Sequence, residues 1–124
     1  MTQASVAETT LDVRGTPLVT REAGSGSVLL YLHDELSTAW NPFLDALSAK
    51  YRVVAPELPG FGDTERPDWA ESIDDLVFFV SDLVDVVGGG AAIGVVGASL
   101  GGWLTIEAAL RGARVSRLVV LGSP

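Results

Sequence analysis

The 124-residue chain has 16 acidic and 8 basic side chains, a formal net charge of −8, 48% apolar residues, one histidine and no cysteine. Such a charge disfavours nucleic acid and anionic membranes as partners. Without cysteine there are no disulfides or thiolate metal sites, and one histidine is too few for an ordinary zinc site, so neither metal nor cofactor is expected. The N-terminus, "MTQASVAETT", has no basic cluster or apolar h-region, and the expected location is cytoplasmic.

Residues 5–14 and 16–22 read as two strands around the turn at Arg14–Thr16, a hairpin. "VLLYLH", residues 28–33, is a continuous apolar run without alternation, the pattern of a strand covered on both faces. Residues 37–50 read as a helix with Ser37 or Thr38 as N-cap, Pro42 in the first turn, and Trp40, Phe43, Leu44 and Leu47 on one face. "YRVVAP", residues 51–56, is a second buried strand, and a loop rich in proline and glycine follows it, "ELPGFGDTERPDW".

Ser72 and Asp75 make a capping-box start for the next helix, with Ile73, Leu76, Val77, Val80, Leu83, Val84 and Val87 as its core stripe. Asp74, Asp82 and Asp85 fall on its solvated side. Gly88–Gly90 ends that helix, "AIGVVGA" is a third buried strand, residues 100–110 a helix, and "VSRLVVLG" a fourth apolar strand. A hairpin followed by buried strands alternating with amphipathic helices is an α/β fold around a parallel sheet.

The stretch from Val86 to Ile106 carries no charge and is long enough to span a bilayer, with GxxxG spacings at Gly90/Gly94 and Gly97/Gly101. It also holds Gly88–Gly90, and Asp85 and Glu107, not lysine or arginine, bracket it. Turn, strand, turn and helix is the better reading.

Within that stretch, "GVVGASLGGW" places Ser99 between Gly97 and Gly101 where a strand hands over to a helix. G-x-S-x-G is weak on its own, but this context is the one a nucleophile elbow requires. In an elbow the turn is so tight that side chains at Gly97 and Gly101 would collide with the opposing backbone. The hydroxyl stands at the carboxyl end of the sheet, and the Leu100 amide, at a helix N-terminus, is placed to hold an oxyanion. The plainer alternative makes Ser99 the N-cap of the following helix.

"YLHDE" after the first buried strand, "ELPGFGDTERP" after the second and "GASLGGW" after the third together resemble the α/β-hydrolase superfamily, in its branch of serine-nucleophile esterases, lipases and C–C bond hydrolases. The likeness runs over nearly the whole chain in the family's element order. It implies a partial α/β-hydrolase fold with an N-terminal antiparallel hairpin. Ser99 is then the nucleophile, with the Leu100 amide and the Glu35 amide as oxyanion donors. His33 matches the histidine that orders the oxyanion loop, not the base. An aspartate at the elbow would have suggested dehalogenase or epoxide hydrolase chemistry; serine argues against both.

The family usually has glycine where Asp34 stands, and aspartate tolerates the positive φ such a turn needs. A carboxylate near a developing oxyanion would oppose it, so either the Asp34 and Glu35 side chains point away or this site is not that of a fast esterase. Glu35→Gln is then expected to leave acylation within about threefold.

The triad acid and base follow the serine in this fold, yet after Ser99 the chain offers Glu107, inside a helix, and no histidine. Residues 1–124 are therefore expected to be an incomplete core domain without cap or C-terminal strands, inactive alone. The last strand would be an open apolar edge, suited to a complementing C-terminal half or to self-association. The expected ligand is a small-molecule substrate of unstated identity. The alternative is a non-catalytic binding protein on the same fold; a nucleotide-binding domain lacks the required glycine spacings.

Overall fold

The computed structural model describes residues 5–122. Strands β1 (Ala7–Val13) and β2 (Thr16–Ala23) pair antiparallel, with Val13 opposite Thr16. Arg14 and Gly15 close the hairpin with φ of 49° and 94°, the left-handed pair that suits the twist of two joined strands. Arg14 also ties the turn to the long helix α2 (Ile73–Gly88), pairing with Asp82 and, at 2.8 Å, with Asp85. Those two aspartates are thus ion-paired, although their side of the helix is wet as expected.

Four strands follow: β3 (Val28–Leu32), β4 (Arg52–Pro56), β5 (Ile93–Ala98) and β6 (Val115–Leu121). The sheet order is β1-β2-β4-β3-β5-β6, with β2 antiparallel to β4 and the pairs β4–β3, β3–β5 and β5–β6 parallel. This is the fold expected from the alternation of apolar runs and amphipathic segments. The chain leaves β3 for β4 on one side, then returns past β3 to β5 on the other, so the strand order reverses between β3 and β5. In open α/β sheets, ligand sites form outside the carboxyl ends of the strands at such a reversal.

Both faces of the central strands are covered. Leu30 and Leu32 of β3 pack with Val77, Val80, Leu83, Val84 and Leu104 on the side of α2 and α3 (Leu100–Leu110). Tyr31 packs on the other side with Leu44, Val53 and Val96, under α1 (Pro42–Ser48). Two-sided burial explains why β3 and β5 read as continuous apolar runs.

Ser72 and Asp75 form the expected capping box, and Gly89 ends α2 in the left-handed region at φ 59°. The stripe differs in two places. Ile73 is exposed, and Phe79, outside the stripe, is buried in the main core with the Trp69 ring stacked on it at 5.2 Å.

The first helix differs more. It begins at Pro42, not Ser37, and its N-cap is Asn41, whose side chain accepts the Leu44 amide at 3.0 Å. A residue before proline is pushed out of helical backbone, and Asn41 is extended at φ −133°, ψ 168°. The hydroxyls expected to cap are spent elsewhere: Ser37 on the Ala39 amide, Thr38 on Glu57.

Strand β6 is the sheet edge, and Val119 and Leu121 on it are exposed. Among the described residues no helix is long and apolar enough to cross a membrane.

Candidate active site

Strand β5 ends at Ala98 and α3 begins at Leu100, so a single residue, Ser99, makes the turn between them. It does so at φ 47°, ψ −110°, one of two positive-φ non-glycine residues among those described. Such backbone costs roughly 1–3 kcal/mol in a residue with a side chain, and persists only where its surroundings impose it.

The surroundings are the glycines. A Cβ on Gly97 would lie 2.6 Å from the Gly102 nitrogen and 2.8 Å from the Gly101 carbonyl carbon. A Cβ on Gly101 would strike the Leu32 carbonyl, 2.6 Å from its carbon and 2.7 Å from the His33 oxygen. Gly102, which sequence reading passed over, is as tight: its Cβ would sit 2.7 Å from Val120 Cγ1 and 2.9 Å from the Gly97 oxygen. The second glycine of "GG" in "SLGGW" was the available signal. Helix α3 thus starts in backbone contact with β3 and β5, and the Ser99 amide is fixed by the Leu121 carbonyl at 2.8 Å.

Ser99 occupies the N-cap position of α3, yet its hydroxyl makes no capping hydrogen bond. It donates instead to Glu35 Oε2 at 3.1 Å, while the Leu100 amide donates to Glu35 Oε1 at 3.4 Å. The expectation that the Glu35 side chain points away is therefore wrong. The cause is local: the carboxylate finds donors on Ser99 and at the helix N-terminus. Its own amide first, then the Ser99 hydroxyl, hold its carboxyl below the usual carboxylate range; slight burial opposes this and the Leu100 amide adds to it.

Asp34 does turn away, but without the positive φ expected of it. Its Oδ1 accepts the amides of Leu36 and Ser37 at 2.8 and 2.9 Å, which folds the loop through a side-chain turn. Positive φ is then not needed.

His33 is 2% exposed. Its Nε2 accepts the Leu58 amide at 2.9 Å, which requires the proton on Nδ1, and Nδ1 donates to the Asp34 carbonyl at 2.7 Å. The ring lies 5.1 Å from that of Phe61. Both nitrogens are committed to tying the loop after β3 to the loop after β4, and neither bonds Ser99.

Burial lowers the His33 pKa below the ordinary 6.5, against the Asp34 carbonyl and the charges of Glu57 and Asp34, which raise it. The unfolded chain therefore binds the proton more readily, and this contribution to stability is full above pH 6.5 and lost as pH falls toward the lower folded value. His33→Ala leaves a buried amide and carbonyl unpaired and should cost about 3 kcal/mol in urea unfolding. In the variant, whose parent has only this histidine, the histidine's part of the pH slope, just below 6.5, should disappear, while the slope from carboxylates such as Glu57 at lower pH remains.

Glu57, also 2% exposed, braces the second loop. It accepts Thr38 Oγ1 at 2.6 Å and the Asp63 amide at 2.9 Å, and lies 3.5 Å from Arg21. Burial works against its charge, but these three partners hold the carboxyl below its ordinary range. A cleft of about 500 Å³ opens between the two loops, lined by Arg21, Glu35, Thr38, Glu57, Phe61 and Asp63 among others. Among the described residues no cluster of histidine, aspartate or glutamate could hold a metal ion.

A model of the alpha/beta hydrolase family matches residues 23–124. The chain belongs to that family. A protein of Metapseudomonas resinovorans, 2-hydroxy-6-oxo-6-(2'-aminophenyl)hexa-2,4-dienoic acid hydrolase, is 29% identical over 108 residues, covering 82% of this chain and 37% of that protein. Among solved structures, a serine hydrolase involved in carbazole degradation superposes with a TM-score of 0.86 at 26% identity, over 97% of this chain and 49% of that one. An epoxide hydrolase of Vigna radiata gives 0.84 at 31% identity, over 96% and 40%. The chain thus spans less than half of each of these three proteins.

Proposed function

We propose that Ser99 is the nucleophile of a hydrolase that cleaves an ester, amide or activated C–C bond through an acyl-enzyme. The observation that carries this reading is the backbone of Ser99: positive φ, enforced by glycines, with a hydroxyl that caps nothing in its own helix. In the first step Oγ bonds to the substrate's carbonyl carbon and gives its proton to a base. The bond to the leaving group then breaks, the leaving group takes that proton, and water hydrolyses the resulting ester. The Leu100 and Glu35 amides are the oxyanion donors in this reading.

Hydrolase relatives of both kinds, C–C and epoxide, share the fold. A serine at the elbow supports the acyl-enzyme route over carboxylate-based epoxide opening. The acid and base are assigned to sequence beyond this chain, since His33 is fully engaged elsewhere. The exposed edge of β6, with Val119 and Leu121, is then the place where the remaining part of the protein, or a second copy, adds a strand.

One observation favours the alternative of a non-catalytic binding protein: a carboxylate rests on Ser99 and the Leu100 amide. Covalent capture decides. A fluorophosphonate, added to the whole protein, should label one peptide, that of Ser99, and Ser99→Ala should remain unlabelled. Absence of labelling in wild type and in Glu35→Ala alike contradicts the nucleophile.

A further inference from the structure

The Glu35 carboxylate sits where the oxygen of an attacked carbonyl would need to go. Oε1 takes the Leu100 amide at 3.4 Å and Oε2 takes the Ser99 hydroxyl at 3.1 Å. Those are the nucleophile and the helix-end oxyanion donor of the reading above, both held by one side chain. We propose that Glu35 is a built-in competitor for the oxyanion hole, a carboxylate stopper that a substrate carbonyl must displace before Ser99 can react.

This inference rests on the assignment of Ser99 as nucleophile. Two observations separate a stopper from a general base. A carboxylate seated on the Ser99 hydroxyl and the Leu100 amide, and held below its ordinary range, is a poor proton acceptor. It also cannot take the serine proton from its present seat while the Leu100 amide is holding an oxyanion, because it is using that amide.

Nothing else pins the carboxylate. Among the described residues no lysine, arginine or histidine forms an ion pair with Glu35. On its own loop Asp34 is committed to the Leu36 and Ser37 amides, and His33 is neutral and turned to Leu58. Across the cleft stand Glu57 and Asp63, with Arg21 shared between Glu57 and Glu8. On α3 the charges are Glu107 and, just past its end, Arg111, which pair with each other toward the far end. The acids around it repel the carboxylate, and Glu35 is exposed, so the side chain is free to swing into solvent. The stopper is held only by the donors it blocks.

The test is the second-order rate of fluorophosphonate labelling at Ser99 in the whole protein, for wild type, Glu35→Ala and Glu35→Gln. Phosphonylation forms the Oγ–P bond, expels fluoride, releases the serine proton and develops charge on the phosphoryl oxygen in the same hole. Glu35→Ala keeps the backbone amide and should label about tenfold faster or more at pH 7, the gain expected if the hole is blocked nine-tenths of the time. Glu35→Gln, with a neutral oxygen still able to accept, should fall between.

The Ala-to-wild-type ratio should shrink toward one as pH falls through the Glu35 pKa, below the usual carboxylate range, because protonation releases the stopper. The Leu100 amide resonance should titrate with that same midpoint and lose the titration in Glu35→Gln. Wild-type labelling with an equal or slower Glu35→Ala overturns the stopper and leaves the nucleophile standing. No labelling in any variant overturns the nucleophile, and the stopper with it. A Leu100 amide indifferent to pH and to Glu35→Gln overturns the contact itself.

Discussion

Gly101→Ala should destabilise the protein by about 4 kcal/mol or more, at the upper end of single substitutions. The added methyl has no flexible neighbour to push aside. It would land on the Leu32 carbonyl and 2.7 Å from the His33 oxygen, backbone atoms at the end of β3 and just past it. Relief requires the helix to rise from the sheet, which opens packing around Leu104 and Ala108, both fully buried. A domain of ordinary stability, roughly 5–15 kcal/mol, would lose a large part of it. Gly94→Ala is the control. Its methyl meets only Leu29 Cδ1, at 3.1 Å, the far end of a flexible side chain, and should cost within about 1 kcal/mol. Urea unfolding of the two variants checks the pair; equal losses would mean that closeness at the elbow is not special.

Removal of the Ser99 hydroxyl, by alanine or by glycine, should lower turnover in the whole protein by about 10⁴-fold or more, the scale seen when a nucleophile acting as part of a unit is deleted. The proposed oxyanion donors are backbone amides and survive both substitutions, so substrate binding should change little. The loss should appear in kcat with KM nearly constant. A drop of less than tenfold would show that the serine only positions or caps.

The element order was legible because burial on two faces writes continuous apolar runs such as "VLLYL" and "AIGVVGA", while α2 writes a helical stripe with its capping box. Proline set the limit at α1: residues 37–41 have good capping and helix-facing side chains, but Asn41 before Pro42 must be extended, and the loop uses Ser37, Thr38 and Asp34 for its own turns. At the candidate site, Ser99 and its two flanking glycines follow from the tightness of a one-residue turn. Gly102 belongs to the same contact but faces Val120 of β6, a strand that sequence spacing cannot bring into view. The direction of Glu35 was not legible either. Reasoning from charge alone sends it away from a future oxyanion, whereas the resting protein has no oxyanion, only unpaired donors that attract it. Ion pairs such as Arg14 with Asp85 join residues far apart in sequence, and no local pattern signals them.

Thermal unfolding of Ser99→Gly against wild type and Ser99→Ala bears on the elbow itself. Glycine adopts φ 47° without the strain that serine carries, so the glycine variant should be more stable by about 1 kcal/mol while being inactive. The alanine variant, which keeps the strain and loses no capping bond, should match wild type within about 0.5 kcal/mol. A glycine or alanine variant that melts lower by the ~1 kcal/mol of a lost N-cap would contradict the elbow and return Ser99 to the role of an ordinary helix start.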